Sequence, residues 1–382
     1  MHVLAVDVSK DTLQYYSPSI SGRVDNTPEG VHKLFDLSKH IEGLILVCES
    51  TGVYSQYLMN FFNSNRIPSY YIPSDAFSNA RKLLKRPKTD RQDARTIFDA
   101  AMAVPTRLIP FQTFDELIEQ LRDLMRYRFA ISHDAARLKV RLNALVAKYF
   151  PGLDFDFRAT YTYFLRNYSI EEIVEMDYDE MVQIVSKVSH SRIDPQQFVQ
   201  KLKESSKGAM NLSPSPRNAL KLTINLTIDN IQSHLKQIKI IDAEVDKIVK
   251  KIPQILTSLP GIGPITAAGI ISEIGKIERF SSPAKLASYA GITWNSYESG
   301  EYKSEDSHMT KKGNKYLRYY IIQATVTVVR FEPVFKSYYD KKYNESFNHN
   351  AGRALVLSAR KLVNVIYFMM INQKQYDPRE IR

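Results

Sequence analysis

Apolar residues at alternating spacings of three and four run from residue 114 to residue 149, and this run constrains the fold most. Its members are Phe114, Leu117, Leu121, Leu124, Ile131, Ala135, Leu138, Leu142, Leu145 and Tyr149, and only Arg128 is polar in the same seam. Such heptad spacing predicts one helix of about 36 residues, roughly 54 Å long at a rise of about 1.5 Å per residue. A helix of that length cannot be covered by one small core, so it requires a partner along its length.

A second heptad pattern, between residues 217 and 252, could supply that partner. Its apolar positions are Ile231, Leu235, Ile238, Ile241, Val245, Ile248 and Ile252. The two helices could pair as a hairpin inside the chain, or each could pair with a copy in another subunit as a dimerising coiled coil. The spacing is compatible with both. Residues 151–216, which separate the two patterns, are aromatic and acidic, and they are interpreted as an insertion without assigned chemistry.

The chain before this region alternates between strand and helix patterns. Strands are predicted at HVLAVDVS, TLQYYS, EGLILVCES and RIPSYYIPS, and helices at PEGVHKLFDLSKH and TGVYSQYLMNFF. These patterns predict an α/β domain with mixed strand order at residues 1–110. The long-helix region with its insertion at 151–216 then occupies residues 111–252, and a mainly helical domain occupies residues 253–382.

The formal net charge of +11 makes a polyanion the expected partner, and nucleic acid is favoured over a membrane surface. The single cysteine, Cys48, excludes intramolecular disulfides and cysteine-ligated zinc sites, and it is compatible with a reducing cytosol. The first residues do not resemble a signal peptide. No apolar run approaches the roughly 18 to 20 residues of a membrane helix. A cytoplasmic location is therefore predicted.

Four carboxylates stand at positions that suit metal ligands. Asp7 lies within a predicted strand, where an acid among valines is costly unless something binds it, and Glu49 ends another buried strand. Asp90 and Asp93 share one face at the start of the helix RQDARTIFDAAMAV. Phosphoryl transfer by two metals needs oxygen ligands that hold Mg²⁺ (or Mn²⁺) ions about 3.5 to 4 Å apart. Each acid taken singly is more simply a cap residue or part of a solvated helix face, so the metal site depends on the combination.

Basic residues surround the third and fourth acids. They are Arg81, Lys82, Lys85, Arg86, Lys88, Arg91 and Arg95. Guanidinium and ammonium groups neutralise nucleic-acid phosphates, so this segment is predicted to bind the polyanion on which the metal acts. The combination indicates a metal-dependent nuclease-like site.

Further candidate residues lie near the C-terminus. In LPGIGPITA, Gly261 and Gly263 could expose backbone N–H groups at a helix N-terminus to a DNA phosphate, or could simply form a turn between helices. Lys311, Lys312, Lys315 and Arg318 follow in a region able to hold a nucleic-acid backbone. Ser299, in a polar turn, is a weak nucleophile by itself because no nearby side chain is an evident base.

These motifs together resemble the DEDD insertion-sequence transposases. AVDVSKDTL, CESTGVY and KTDRQDA are similar to the amino-terminal domain of that family, which has the fold of the RuvC-like Holliday-junction resolvases within the ribonuclease H class. SLPGIGPITAAGIISEIG, RFSSPAKLASYAGIT, the Ser299–Gly300 pair and KKGNKYLR are similar to its carboxy-terminal transposase domain. The resemblance covers about residues 1–150 and 217–330.

The resemblance implies an acidic tetrad of Asp7, Glu49, Asp90 and Asp93 that binds Mg²⁺ or Mn²⁺, and a serine nucleophile at Ser299. Such enzymes cut and rejoin donor and target double-stranded DNA through a phosphoserine link. It also implies a structured guide RNA (the bridge RNA), a dimer that forms a tetrameric synaptic complex through the long helices, and a bacterial or archaeal, nucleoid-associated protein.

Two rival interpretations remain. A hydrolytic, RuvC-like endonuclease would use the same acids with Ser299 as a structural residue, and a nucleic-acid-binding protein with a degenerate site would use neither. Ser296 lies three residues from Ser299, so the choice of nucleophile depends on the match of Ser299–Gly300 alone.

Overall fold

The chain forms two compact units, Met1–Phe114 and Asp115–Arg382. The computed structural model describes residues 2–49, 52–84, 90–111, 115–150, 152–153, 155, 159–190, 193–209, 213–294, 298–299, 302–303, 309–345 and 350–380. Each unit contains its own hydrophobic clusters, and the two are described separately.

A six-stranded mixed sheet forms the centre of the first unit. Its strands are β1 His2–Val8, β2 Thr12–Tyr16, β3 Ser21–Asp25, β4 Leu44–Glu49, β5 Ser69–Ile72 and β6 Ile109–Pro110. They lie in the order β3-β2-β1-β4-β5-β6, with β4 parallel to both β1 and β5 and the remaining pairs antiparallel. The predicted mixed sheet and the predicted pairing of its first two strands are confirmed. The prediction missed β3 and β6, because β3 buries only Val24 and β6 has two residues, so neither gives a strand pattern.

Helices cover both faces of this sheet. They are α1 Pro28–Ser38, α2 Gln56–Ser64, α3 Ser74–Leu83 and α4 Asp90–Ala103. Thr27 caps α1 by accepting a hydrogen bond from the backbone N–H of Gly30, and Pro28 occupies the first turn, where a missing N–H costs nothing. Apolar residues of α1 and α2 pack on one face, and those of α3 and α4 pack on the other.

The second unit is helical. Its helices are α5 Glu116–Tyr149, α6 Ala159–Asn167, α7 Ile170–Glu175, α8 Tyr178–Ser189, α9 Pro195–Ala209, α10 Pro214–Val249, α11 Pro264–Ile274, α12 Pro283–Ala290, α13 Lys315–Phe331, α14 Pro333–Asn344 and α15 Ala351–Asn372. A short hairpin of β7 Glu298–Ser299 and β8 Tyr302–Lys303 lies between α12 and α13. The mainly helical character predicted for the C-terminal part is confirmed.

The two long helices predicted from the heptad patterns are α5 and α10, and they pack against each other within the chain. Arg128, the polar residue of the first seam, reaches Asp242 on α10 through two hydrogen bonds of 2.5 and 3.2 Å. A polar group in an apolar seam is tolerated because a partner satisfies it. The helical hairpin is therefore present, and a coiled coil formed with another subunit stays a prediction.

The second unit has two hydrophobic clusters. One joins α6 to α9 with the adjoining ends of α5 and α10, so the segment interpreted as an insertion packs on the long hairpin through residues such as Phe164 and Ile228. The other joins α11 to α15 with the opposite ends of the same two helices. The predicted domain boundaries at 110 and 252 stay a prediction.

The prediction that no apolar run approaches the length of a membrane helix is wrong for α15, which by length and composition could cross a membrane, although half of its most apolar window is buried in the protein. Leu362 and Ile366 lie in the main cluster, against α12, α13 and α14. The buried face of this helix is apolar because it forms part of that core.

Candidate functional site

Asp7 and Glu49 lie on neighbouring parallel strands. The register of β1 and β4 pairs Val6 with Cys48, so the acid that follows each of these residues lies at the same level of the sheet. Side chains alternate between the two faces of a strand, and both acids continue the positions that pack against α3 and α4. Two strands that are distant in sequence therefore direct their acids to one face.

Cys48 precedes Glu49 on β4 and is a free, fully buried cysteine. Burial raises its pKa well above the usual range, and the negative charges of Glu49 and Asp7 raise the pKa further. Cys48 itself is buried on the opposite face and donates a hydrogen bond to the sulfur of Met59 at 3.4 Å, so it belongs to the core.

Helix α4 brings a third acid to the same face. Asp93 is 7% exposed, and Ile97, one turn later, packs in the cluster between α4 and the sheet. Arg81 of α3 places its Nη2 atom 2.6 Å from Oδ1 of Asp93. That oxygen and Nε of Arg81 are both buried without a hydrogen bond among the described residues. Asp90 begins α4, and its side chain lies outside the described residues.

This donor set suits a hard divalent cation. Asp7, Glu49 and Asp93 offer only carboxylate oxygens, the ligand type that Mg²⁺ and Mn²⁺ prefer, and Oδ1 of Asp93 forms an ion pair with Arg81. Across the described residues, no group of three or more His, Cys, Asp or Glu side chains is close enough to hold a metal ion. The complete tetrad, which includes Asp90, therefore stays a prediction.

Of the basic residues predicted around these acids, Arg81 pairs with Asp93 and stacks over Phe77 at 4.7 Å. Lys82 is exposed, and so is Arg95, whose guanidinium lies 5.5 Å from the ring centre of Tyr16. The remaining predicted phosphate ligands lie outside the described residues, wholly or in their side chains: Lys85, Arg86, Lys88 and Arg91. Arg81 thus has an internal partner, whereas Lys82 and Arg95 are accessible.

Ser299 lies in the second unit, at the end of β7. It pairs with Tyr302 of β8 in an antiparallel arrangement. The side chain of Ser299, together with Ser296 and Gly300, lies outside the described residues. Below the hairpin, Trp294 forms a β-bridge with Met309.

The basic segment after the hairpin divides into exposed and internal groups. Lys311, Lys312 and Lys315 are exposed, and Lys315 lies 5.0 Å from the ring centre of Tyr316. Arg318 instead donates from Nη1 to the carbonyl of Ala290 at 2.9 Å, and burial lowers the pKa of its guanidinium. Three of these four predicted nucleic-acid ligands are therefore accessible, while Arg318 caps the end of α12.

The two glycines of the LPGIGPITA motif have different environments. Gly261 has φ +99° and packs so closely on α13 that a Cβ atom would lie 2.6 Å from the backbone nitrogen of Val328. Its carbonyl also accepts a hydrogen bond from Oγ1 of Thr327 at 2.6 Å. Gly263 precedes the first turn of α11, is exposed, and has open space where a Cβ would be. Only Gly263 retains the geometry of a phosphate-binding helix N-terminus.

Glu273, a buried acid in α11, did not enter the sequence prediction. Its carboxylate accepts two hydrogen bonds from Arg126 of α5, at 2.7 and 2.9 Å, and one from Nδ2 of Asn314 at 2.7 Å. The signal in the sequence is a lone acid in PITAAGIISEI, a helix that is otherwise apolar on all sides and must therefore be buried.

Two protein-family models match the chain. A DEDD transposase model matches residues 2–151, and a model described as the transposase IS116/IS110/IS902 family matches residues 253–340. The first match contains Asp7, Glu49, Asp90 and Asp93, and the second contains Gly261, Gly263 and Ser299.

Several curated proteins are similar to this chain. An uncharacterized 44.8 kDa protein of insertion element IS116 from Streptomyces clavuligerus is 24% identical over 381 residues, 98% of this chain and 93% of that protein. An uncharacterized 43.6 kDa protein of insertion element IS110 from Streptomyces coelicolor is 24% identical over 334 residues, 81% of this chain and 77% of that protein. The pilin gene-inverting protein of Moraxella bovis is 27% identical over 161 residues, 40% of this chain and 49% of that protein.

Proposed function

The chain belongs to the IS110 family of DEDD transposases, and on this premise we propose that it cuts and rejoins DNA through a covalent link to Ser299. It is a DNA transposase and recombinase of an insertion sequence. One of its relatives is named a pilin gene-inverting protein, which is consistent with a reaction that breaks and rejoins the same number of strands. The observation that carries the proposal is that Asp7 and Glu49 lie at one level of neighbouring strands, on the sheet face that α3 and α4 cover.

In the proposed reaction the Ser299 oxygen bonds to a DNA phosphorus while the bond from that phosphorus to one deoxyribose oxygen breaks. The departing oxygen gains a proton, and the serine loses one. A hydroxyl of a second DNA strand then attacks the phosphoserine and releases Ser299, so no phosphodiester is lost to water. This sequence conserves phosphodiester bonds without another co-reactant.

Asp7, Glu49, Asp90 and Asp93 are proposed to hold Mg²⁺ or Mn²⁺. When bound, the metal supplies Lewis-acid stabilisation of charge on the phosphate and the departing oxygen. The order β3-β2-β1-β4-β5 with β1 at its centre supports a ribonuclease H-like, RuvC-like first unit. Lys82 and Arg95 on the first unit, and Lys311, Lys312 and Lys315 on the second, are proposed to neutralise phosphates.

A structured guide RNA is a further part of the proposal, as are a dimer and a tetrameric complex joined by coiled-coil contacts of α5 and α10. The net charge of +11 supports nucleic acid as the partner. On α10, Leu222 and Leu226 are 61% and 55% exposed, which supports a contact with another subunit along this helix. A cytoplasmic, nucleoid-associated location follows from these partners and is proposed with them.

The test recovers the protein under denaturing conditions from cells that carry its insertion sequence, and measures covalently attached DNA. Wild-type protein is expected to carry DNA, and the Ser299→Ala and Asp90→Ala variants are expected to lack it. Ser296→Ala is the matched control and should keep the adduct. Cleavage that depends on Asp90, without an adduct in any variant, would instead establish the hydrolytic RuvC-like endonuclease.

A further inference from the structure

The N-terminus of α13 is connected to the buried carboxylate of Glu273 through one side chain. Oδ1 of Asn314 caps α13 by accepting hydrogen bonds from the backbone N–H groups of Tyr316 and Leu317, at 2.9 and 3.0 Å. A cap requires only this oxygen. The amide nitrogen of Asn314 donates instead to Glu273 at 2.7 Å and to the hydroxyl of Tyr289 at 3.1 Å. Asn314 therefore joins α11, α12 and α13.

The carboxylate of Glu273 is held in one orientation. Its side chain is 1% exposed, and the fork of Arg126 binds both oxygens. Burial lowers the pKa of the Arg126 guanidinium, but the hydrogen bond and charge of Glu273 outweigh burial and leave that pKa raised. A bidentate pair fixes geometry as well as charge, so Oε2 of Glu273 is presented to Asn314 in a defined position.

The chain leaving α12 and the chain entering α13 are joined next to this network. The backbone N–H of Asn314 donates to the carbonyl of Tyr289 at 2.6 Å. The backbone N–H of Thr310 donates to the carbonyl of Thr293 at 2.8 Å, and the β-bridge of Trp294 with Met309 follows. These contacts connect the chain on the two sides of residues 295–308, the segment that carries Ser299. Together they are called the base of that segment.

We infer that Glu273, acting through Asn314, is a positioning residue for the segment that carries Ser299. Glu273 is buried and does not contact DNA, so it acts by fixing the start of α13 and with it one side of the base of that segment. The role in the reaction rests on the proposed function of Ser299. The anchoring of the base does not depend on that function, because the hydrogen bonds of Glu273 and Asn314 are present whatever reaction Ser299 carries out.

The test compares two network variants with two matched controls. Glu273→Gln removes the buried charge, and Asn314→Ser keeps a capping oxygen while removing the amide that reaches Glu273. Asp229→Asn weakens another interhelical Arg–carboxylate pair, that of Arg166 on α6 with Asp229 on α10, and Asn350→Ser changes the cap of α15 in the same way. Trp294 is the single tryptophan of the chain, so its fluorescence quenching by acrylamide reports the base of the segment directly.

Both network variants are expected to raise the quenching constant of Trp294 about twofold and to slow DNA-adduct formation about tenfold or more, since a small misplacement of a reacting group is costly. DNA affinity should stay within about twofold, because the basic residues remain. The controls should leave quenching and adduct rate unchanged. The positioning role is overturned if the control variants raise the quenching constant of Trp294 as much as the network variants do. It is also overturned if the rate of adduct formation falls only in proportion to the loss of DNA affinity or of thermal stability.

If wild-type protein forms no adduct, the proposed serine chemistry fails, and the anchoring is judged by fluorescence alone. A selective response of Trp294 in the network variants supports Glu273 as the anchor of this segment. An equal response in the control variants overturns it.

Discussion

Replacing Gly261 by alanine tests whether this glycine serves the packing of α11 on α13. A Cβ atom would lie 2.6 Å from the nitrogen of Val328 and 2.7 Å from the carbonyl carbon of Thr327, and both are backbone atoms that cannot move aside as a flexible side chain would. The positive φ of +99° adds a second penalty, because residues with a Cβ avoid that region.

The two penalties can be estimated. A left-handed backbone costs a residue with a Cβ about 1 to 2 kcal/mol, and overpacking a core costs about 1 to 3 kcal/mol. We expect Gly261→Ala to lower the free energy of unfolding by about 3 kcal/mol and the melting temperature by about 10 °C, at about 2 to 4 °C per kcal/mol for a domain of this size.

The assay is thermal unfolding followed by circular dichroism, with Gly263→Ala as the matched control. Gly263 has φ −83° and open space around the new Cβ, so this variant should lose at most about 1 kcal/mol. If Gly261→Ala melts within about 2 °C of Gly263→Ala, the close approach of Gly261 to α13 is not a structural requirement.

Three further predictions concern the acids, the bases and the core. Millimolar Mg²⁺ or Mn²⁺ should raise the melting temperature of the wild type, because a cation bound to the folded state relieves the repulsion between clustered carboxylates. The double variant Asp7→Asn with Asp90→Asn should show no such rise. An equal rise in both proteins would contradict the metal site. Lys88→Ala or Arg91→Ala should weaken DNA binding, measured by fluorescence anisotropy, and reduce the slope of log affinity against log salt concentration by about one. An unchanged slope would show that these side chains do not bind DNA phosphates. Tyr320→Phe should lower the free energy of unfolding by about 1 kcal/mol in chemical denaturation, because the Tyr320 hydroxyl donates a buried hydrogen bond to the carbonyl of Met125 on α5 at 2.8 Å. An unchanged free energy of unfolding would show that this hydrogen bond makes no net contribution to stability.

The elements of the first unit were largely predictable because their patterns are local. β1, β4 and β5 are short apolar runs, and α1 has an apolar face and a cap within its own sequence. The predicted acids at the strand ends then follow from counting along each strand. Edge strands such as β3 could not be predicted, because one buried valine in five residues leaves no period to detect.

The heptad patterns predicted the length of α5 and α10 but left their partner open. The same apolar seam can be buried by a helix of its own chain or by a second subunit, because the hydrophobic effect does not depend on connectivity. The contact of Arg128 with Asp242 shows how the chain satisfies the one polar residue in the seam. That residue pair lies 114 positions apart, which a period of seven cannot reveal.

By itself the sequence determined the class of the protein, the strand and helix elements, and which acids, bases and serine are candidates for chemistry, because these depend on residue type and short-range spacing. Only the tertiary structure decided which candidates have internal partners: Arg81 with Asp93, Arg318 with the end of α12, and Gly261 with α13. It also decided that Glu273 lies in the core, bound to Arg126 from 147 positions away. A buried charge is stable only beside a partner, and in this chain packing alone brings that partner close.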